Sequence, residues 1–397
     1  MPHMNPVIVS GAGPGGLTAA LCLAAAGVPV LVCEREDTLP VDLRAGSYHP
    51  PTLEMLAPFG VTERMHDEGV IVPRWQIRDR DEGVLVDFDM ALLKDETPYP
   101  YRLHLEQHKL TPLLLDACRR YENFDIAFGT AVSGLTQDED GVTVGVNAPD
   151  GHRSLRGSFV IGADGHHSAV RNALGIEFEG FTWPEAFLVL STPHDFEADG
   201  FTRAAYVADP DEWLVMFKLP TMWRLAFPVD PDALADSYMA DDKVEARLQR
   251  VSVCADAYEV IHRNTYRVHQ RVAASYVRGR AALAGDAAHV NNPLGGMGLN
   301  GAVHDAVNLA GRVVAILRGE AGMEALGLYE RQRRPVQIEY VQRLSIRNKR
   351  LVEERDPEVR QRHRDELRAI GDDPEKARAY LLDSSMISMV REAAKVV

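Results

Sequence analysis

The chain has 397 residues, 46% hydrophobic and 25% charged, which suits about two soluble globular domains with a sizeable core. A net charge of −15 argues against nucleic acid as a partner. The four cysteines, Cys22, Cys33, Cys118 and Cys254, lie far apart without a CxxC, so neither a disulfide framework nor a zinc ribbon is indicated and a reduced, cytoplasmic setting is expected.

The opening "MPHMNP" runs straight into "VIVSG", with no signal-peptide pattern. The longest apolar stretch, residues 17–32, is broken by Gly27 and Pro29 and is too short for a bilayer, so no membrane association is expected. Val7, Ile8 and Val9 read as a short buried strand. Gly11, Gly13 and Gly16 then fit G-x-G-x-x-G: one for the turn, one for backbone approach to a pyrophosphate, one for close helix–strand packing. A helix runs to about Ala26 and stops at Gly27. A second strand, "VPVLVCE", ends at Glu34, eighteen residues after Gly16, where a carboxylate can accept both hydroxyls of a ribose. These features together indicate a dinucleotide; they leave FAD and NAD open.

Further along, "RWQIRD" and "VLVDFDM" look like strands, and "HLEQHKLTPLLLDACRRY" like a helix. The stretch "GADGHHSAVR", residues 162–171, holds an acid, two histidines, a serine and an arginine. Adjacent histidines rarely converge on one centre and no third ligand is near, so no metal is expected. Ser168 lacks the G-x-S-x-G elbow of a hydrolase. Residues 181–271 shift to aromatic-rich strands such as "RAAYVAD" and "WRLAFPV". In residues 281–313 a strand ends at Gly285-Asp286, then a loop with Pro293 and several glycines leads into a long helix reaching about Arg318. Free N–H groups at that helix start suit an anion. Gly296, Gly298 and Gly301 also match G-x-G-x-x-G, but no strand precedes them and no strand–acid pair follows, so only one dinucleotide fold is expected. The tail is helical, with Pro335, Pro357 and Pro374 at helix-start positions and Arg331, Arg333, Arg334, Arg343 and Arg347 on a solvated face.

Three separated motifs, "GAGPGG", "GADGHHSAVR" and "GDAAH…P.GGMGLN", match in order and spacing over nearly the whole chain, which resembles a class A FAD-dependent aromatic hydroxylase of the para-hydroxybenzoate hydroxylase type. Segments 34–65 and 266–289, with "YPYRLHLEQ", are similar to the branch acting on para-substituted phenols and hydroxypyridines. The resemblance implies an α/β (α+β overall) fold: a Rossmann-like FAD-binding domain (1–72, 98–180 and 272–320), an inserted antiparallel-sheet substrate domain (73–97 and 181–271) and a helical C-terminal segment (321–397). It implies bound FAD, NADH or NADPH as co-substrate, O₂, a small aromatic substrate, no metal, and a homodimer as the assembly it suggests.

It also implies roles by position. Gly11, Gly13, Gly15 and Gly16 would face the pyrophosphate, Glu34 the adenosine ribose, and Arg35 the adenine. Arg44 would lie by the flavin and sense its swing between exposed and buried positions. Gln107 would meet the ribityl chain, Val132 the adenine, and Asp164 the pyrophosphate region that Arg171 helps order, with NAD(P)H as a second candidate for that arginine. Asp286 would bind ribityl and pyrophosphate, and Gly296, Met297, Gly298, Leu299 and Asn300 would surround the isoalloxazine with backbone. Many members carry two prolines where this chain has Asn292-Pro293, a departure that would reshape the flavin pocket.

The implied reaction is ring hydroxylation through a flavin hydroperoxide, aided by ionisation of a ring hydroxyl and exclusion of water. If the hydroxylated para carbon bears a leaving group, that substituent is lost. The candidate catalytic residues are Arg44, His49, Tyr206, Arg224, His289 and Pro293: Tyr206 for a phenolic oxygen, Arg224 for a carboxylate, His49 and His289 as proton carriers. Met216, Phe217 and Trp213 fit either a pocket or the core. The competing readings are a reductase or dehydrogenase of the same fold, without oxygen insertion, and a non-enzymatic dinucleotide sensor.

Overall fold

The computed structural model describes residues 4–41, 46–233 and 235–397. The N-terminal strand Val7–Ser10 is buried at every position, as a strand covered on both faces must be. It lies between Val30–Cys33 and Phe159–Gly162, parallel to both. Phe124–Ala127 and Ala281–Leu283 extend this sheet in parallel on either side, and Val277–Arg278 adds an antiparallel edge. The helix Pro14–Ala25 crosses from the first strand to the second and ends before Gly27, whose φ of +81° suits glycine. A small antiparallel sheet, Ala131–Gln137, Val142–Ala148 and Gly151–Gly157, follows before the chain returns to the parallel sheet.

The second large sheet has eight strands, ordered His289–Val290, His262–Ala273, Phe178–Thr192, Trp223–Val229, Leu214–Lys218, Ala204–Ala208, Arg74–Asp79 and Gly83–Asp89. It is antiparallel except where Ala204–Ala208 runs parallel to Arg74–Asp79. The twofold alternation of strand side chains divides its faces. Phe187, Val189, Ala204, Tyr206, Ala226 and Val268 share one face. Leu188, Leu190, Ala205, Val207, Leu225 and Phe227 pack on the other, against Val244 and Leu248 of the helix Asp241–Val251. The short strand His289–Val290 pairs with Arg271–Val272 and so joins this sheet to the loop that follows the parallel one.

The C-terminal part is helical, as expected. Asp356 and Asp373 cap their helices through the N–H groups of Glu358, Val359, Glu375 and Lys376, with Pro357 and Pro374 in the first turns. Pro335 departs from expectation: it lies inside Glu324–Val336 and is followed by a π turn, Gln337–Gln342, rather than opening a helix. A proline has no N–H to continue the i→i−4 ladder, and widening the helix accommodates the break. Arg333 also departs: it is buried, with Nε 2.7 Å from Asp305, not on a solvated face. Asp79, buried at the edge of the large sheet, accepts from Arg360 and Arg364, and Tyr380 stacks on Phe88 at 4.7 Å, so the tail is docked onto the substrate sheet. Among the described residues no helix is long and apolar enough to cross a membrane.

Candidate functional site

A cavity of about 860 Å³ opens at the carboxyl ends of the parallel strands and runs to the inner face of the eight-stranded sheet. That position is where open α/β sheets bind ligands. At its first end the turn after Ser10 has four glycines, with different surroundings. Gly11 has φ +100°, and a Cβ there would meet the Ala163 carbonyl at 2.5 Å. A Cβ on Gly16 would sit 2.0 Å from the Gly11 carbonyl; this residue lies behind the cavity wall and serves packing. Gly13 is different: its φ is −72°, its Cβ would meet nothing within 4 Å, and it faces the cavity. The protein itself gives no reason for glycine at 13; a pyrophosphate pressed against it would. Gly15 lines the same wall and packs on Ala302.

The first bond inside the helix runs from Leu17 N–H to the Gly13 carbonyl, so the N–H groups of Gly15 and Gly16 have no acceptor within the helix. They form an anion seat at the positive end of the helix dipole. Glu34 lies beside it, buried, accepting from Ala12 N–H at 2.7 Å and Glu36 N–H at 3.0 Å. Those two bonds fix the carboxylate and leave lone pairs for hydroxyl donors. Arg35 is solvent-exposed, paired with Glu36, at the rim. Gln107, first residue of the helix Gln107–Cys118, and Val132 also line this end. Replacing Gly13 with Ala should leave the thermal stability of the flavin-free protein within about 0.5 kcal/mol of the parent, yet weaken flavin retention about tenfold or more. Titration of apoprotein with flavin, read by fluorescence quenching, checks both halves.

Asp164 accepts the N–H groups of Ala169 and Val170 through Oδ2, at 2.8 and 3.2 Å, while its buried Oδ1 has no partner. Arg171 is buried and donates to the carbonyls of Ala287 and His166, at 2.8 and 2.7 Å. It therefore ties this stretch to the loop after the last parallel strand. His166 and His167 both reach the cavity rim, and no cluster of three potential metal ligands exists among the described residues.

The glycine loop forms the middle of the cavity. Asp286, Pro293, Gly296, Met297, Gly298 and Leu299 all line it. The first helical bond of Gly298–Leu317 runs from Gly301 N–H to the Met297 carbonyl, leaving the N–H groups of Gly298, Leu299 and Asn300 without helical acceptors. The Asn300 side chain is not in the wall. It accepts from His49 N–H and the Thr52 hydroxyl and donates to the Ser47 and Gly296 carbonyls, bracing the loop from behind. Asn292 is fully buried; its N–H and side-chain amide both donate to Gln270 Oε1, at 3.0 and 3.2 Å. A proline there would lack the first donor, so the departure at 292 anchors the loop to the large sheet.

Three of the expected catalytic residues need restating. His49 is fully buried outside the wall, its Nε2 donating to the Gly295 carbonyl at 2.8 Å; burial and the Arg102 charge hold its pKa well below the usual histidine value. His289 is buried against Asp305 at 2.6 Å, also behind the wall. Neither geometry suits a proton carrier to substrate, because each ring is committed to a structural partner. Arg44 lies outside the described residues.

At the far end the wall is apolar: Phe187, Val189, Ala204, Val215, Phe217 and Ala226, while the Met216 side chain packs on the sheet's other face. Trp213 instead packs in the core on Phe187, with ring centroids 5.1 Å apart. Tyr206 and Arg224 both reach the cavity, Tyr206 accepting from Gly295 N–H at 3.1 Å and Arg224 lying 5.9 Å from the Phe217 ring. Two residues missed in the sequence stand beside them. Arg102 and His104 alternate on the strand Arg102–His104 and both line the cavity. His104 donates Nδ1–H to the Lys218 carbonyl, and burial lowers its pKa to about 3. The period-two spacing of these residues in "YRLHL" is the signal that could have found them.

The donor set thus fits a flavin dinucleotide: an anion seat beside a ribose-competent carboxylate, a glycine open only toward the cavity, an orphaned buried carboxylate oxygen at Asp164, and a second helix N-terminus midway. Comparisons agree. Residues 4–344 match the model of the FAD binding domain family. The chain is 35% identical to para-nitrophenol 4-monooxygenase of Pseudomonas sp. (strain WBC-3), over 96% of each chain. It is 31% identical to 6-hydroxy-3-succinoylpyridine 3-monooxygenase of Pseudomonas putida (strain DSM 28022 / S16), over 84% of this chain and 86% of the relative. The crystal structure of p-nitrophenol 4-monooxygenase from Pseudomonas putida DLL-E4 superposes with a TM-score of 0.92, at 35% identity, covering 98% of this chain and 99% of that one.

Proposed function

The chain belongs to the FAD-binding-domain family of flavoprotein aromatic monooxygenases, and from that premise we propose that it uses NAD(P)H and O₂ to hydroxylate a para-substituted phenol or a hydroxypyridine. The observation that carries this reading is the continuity of one cavity from the Glu34 carboxylate, past the two helix N-termini, to an apolar wall with Tyr206, Arg102 and Arg224. FAD, when bound, would supply the redox chemistry: hydride acceptance from NAD(P)H and activation of O₂.

The protein's residues do the rest. The open Gly13 and the free N–H groups of Gly15 and Gly16 would seat the pyrophosphate, with Asp164 and Asp286 alongside it. Glu34 would hold the ribose and Gln107 the ribityl chain. The N–H groups of Gly298 and Leu299, with the helix dipole behind them, would face negative charge on the flavin ring. Phe187, Val189, Val215 and Phe217 keep water from the reacting carbon. Tyr206 orients the ring. His49, His104 and His304 all have lowered pKa values and stay neutral at working pH, so proton movement at the substrate falls to other groups. Similarity to a nitrophenol 4-monooxygenase supports attack at a substituted para carbon, which expels the substituent as an anion and leaves a quinone. The four unpaired thiols fit a reducing cytoplasm.

The test is NADH and NADPH oxidation with O₂ uptake across a panel of para-substituted phenols and hydroxypyridines, with products identified by mass. The expected result is substrate-stimulated oxidation coupled to a quinone or hydroxylated product. Oxidation coupled to a reduced aromatic product without added oxygen would select the reductase reading instead.

A further inference from the structure

Gln270 is buried within the strand His262–Ala273, whose residues Arg267, Val268 and His269 line the cavity. Its Oε1 accepts from the Asn292 N–H at 3.0 Å, the Asn292 side-chain amide at 3.2 Å and the Trp183 indole N–H at 3.1 Å. Backbone and indole N–H groups can only donate, so they fix which end of the Gln270 amide is oxygen. The other end, Nε2, donates to Gln342 Oε1 at 2.5 Å and to Ser345 Oγ at 3.0 Å. Both ends of this buried amide are therefore satisfied, and a fully satisfied buried network is rigid.

The two ends lead to different parts of the chain. Asn292 opens the glycine loop: its Oδ1 accepts the Leu294 N–H at 3.1 Å, and the next carbonyl, of Pro293, accepts the Gly296 N–H at 2.9 Å. Pro293, Leu294, Gly296 and Met297 line the cavity, so the wall in its middle hangs from Gln270. Gln342 closes the π turn Gln337–Gln342 and donates its own amide to the Val290 carbonyl at 3.1 Å. An i→i+5 turn inserts one residue more than an α-turn and so re-aims the helix after it. Gln342 and Ser345, three apart on that helix, share the buried face that meets Gln270. The π turn after Pro335 thus has a task in the site: it delivers two acceptors to one amide.

We propose that Gln270 is a positioning residue for the flavin ring, fixing the loop 292–297 between the substrate sheet and the C-terminal helices. The inference rests on the flavoprotein monooxygenase reading above. The sheet carries the substrate wall and the loop carries the ring's surroundings, so this amide sets the distance between the two reactants. Oxygen transfer depends on that distance. When it is wrong, the two electrons of NAD(P)H and two protons go to O₂, which leaves as hydrogen peroxide instead of oxygenating the ring.

The test compares flavin-loaded parent, Q270L, N292A and the double variant, with para-nitrophenol as substrate. Leucine keeps the volume and removes both ends of the tie. Hydrogen peroxide formed per NAD(P)H consumed should rise about threefold or more in Q270L, with KM for the phenol within about twofold of the parent. Q270E keeps the acceptor for Asn292 and, protonated by burial, a donor for Gln342; it should recover most of the coupling. N292A cuts the same tie, so the double variant should be no worse than the worse single one. Without substrate, the visible spectrum of the bound flavin should change in Q270L and its midpoint potential should fall, as the N–H groups facing the reduced ring shift. Additive losses, or a Q270L protein with parental spectrum and peroxide ratio, would overturn the proposal. So would a loss of stability alone, which makes Gln270 a packing residue. If Q270L does not retain flavin, N292A and Q342L carry the same comparison. If spectrum and potential change as expected but the parent oxygenates no ring, the proposed reaction fails and the positioning role stands. If the parent oxygenates the phenol and Q270L couples equally well, the positioning role fails and the reaction stands.

Discussion

Asp305→Ala should destabilise the protein by about 3–5 kcal/mol in urea unfolding at neutral pH, among the largest single-residue effects in the chain. Asp305 is 1% exposed and holds three donors at once: Arg333 Nε at 2.7 Å, His289 Nε2 at 2.6 Å and Gly285 N–H at 3.1 Å. Its removal strands the Arg333 guanidinium, which is 2% exposed, in the interior. It also frees Gly285, whose φ of +61° starts the turn carrying Asp286 into the cavity. Burial alone would raise the Asp305 pKa, but His289 and Arg333 together outweigh it and hold the carboxyl at about 2. The folded value lies below the unfolded one of roughly 3.9, so the contribution is complete above about pH 4 and is lost as pH falls toward 2. The stability gap between parent and variant should therefore narrow over that window. A gap unchanged from pH 7 to pH 2.5 would reduce Asp305 to a packing role.

Gly16→Ala should yield a colourless protein. The added Cβ would lie 2.0 Å from the Gly11 carbonyl and 3.4 Å from the Ala163 side chain, between a strand and a helix that cannot part without opening the turn. Overpacking of this kind costs about 1–3 kcal/mol, and the opened turn displaces the Gly15 and Gly16 N–H groups from their common aim. Stability and flavin binding should fall together. This contrasts with Gly13→Ala, where only flavin binding falls. Absorbance of the purified variant and its urea midpoint decide the matter: a yellow Gly16→Ala protein of parental stability would mean that the turn yields easily and that Gly16 is not needed for the helix approach.

The glycine turn, its helix and the acid after the second strand were legible because each depends on local backbone chemistry, which neighbouring residues specify. The anion-seating start of the helix Gly298–Leu317 was legible for the same reason. What was hidden depends on partners remote in sequence. Arg333 reads as a solvated helical arginine until Asp305, 28 residues earlier, is found beside it. His49 reads as a loop histidine near the flavin until Gly295, 246 residues on, takes its Nε2. Asn300 reads as flavin-facing backbone until its side chain is found pointing away from the cavity into a bracing network. Arg102 lies in the stretch "YPYRLHLEQ", and only the folded chain shows it buried with no acid beside it among the described residues. Sequence patterns report which face a residue occupies, and they are silent on what waits there.

The most direct measurement is turnover with isotopically labelled O₂ and a para-substituted phenol, followed by mass analysis of the ring product and of the released substituent. The expected result is one labelled oxygen atom in the product, matched by one NAD(P)H consumed and one substituent released. A ring product that never carries the label, across phenols and hydroxypyridines alike, would contradict the assignment of this chain as a monooxygenase.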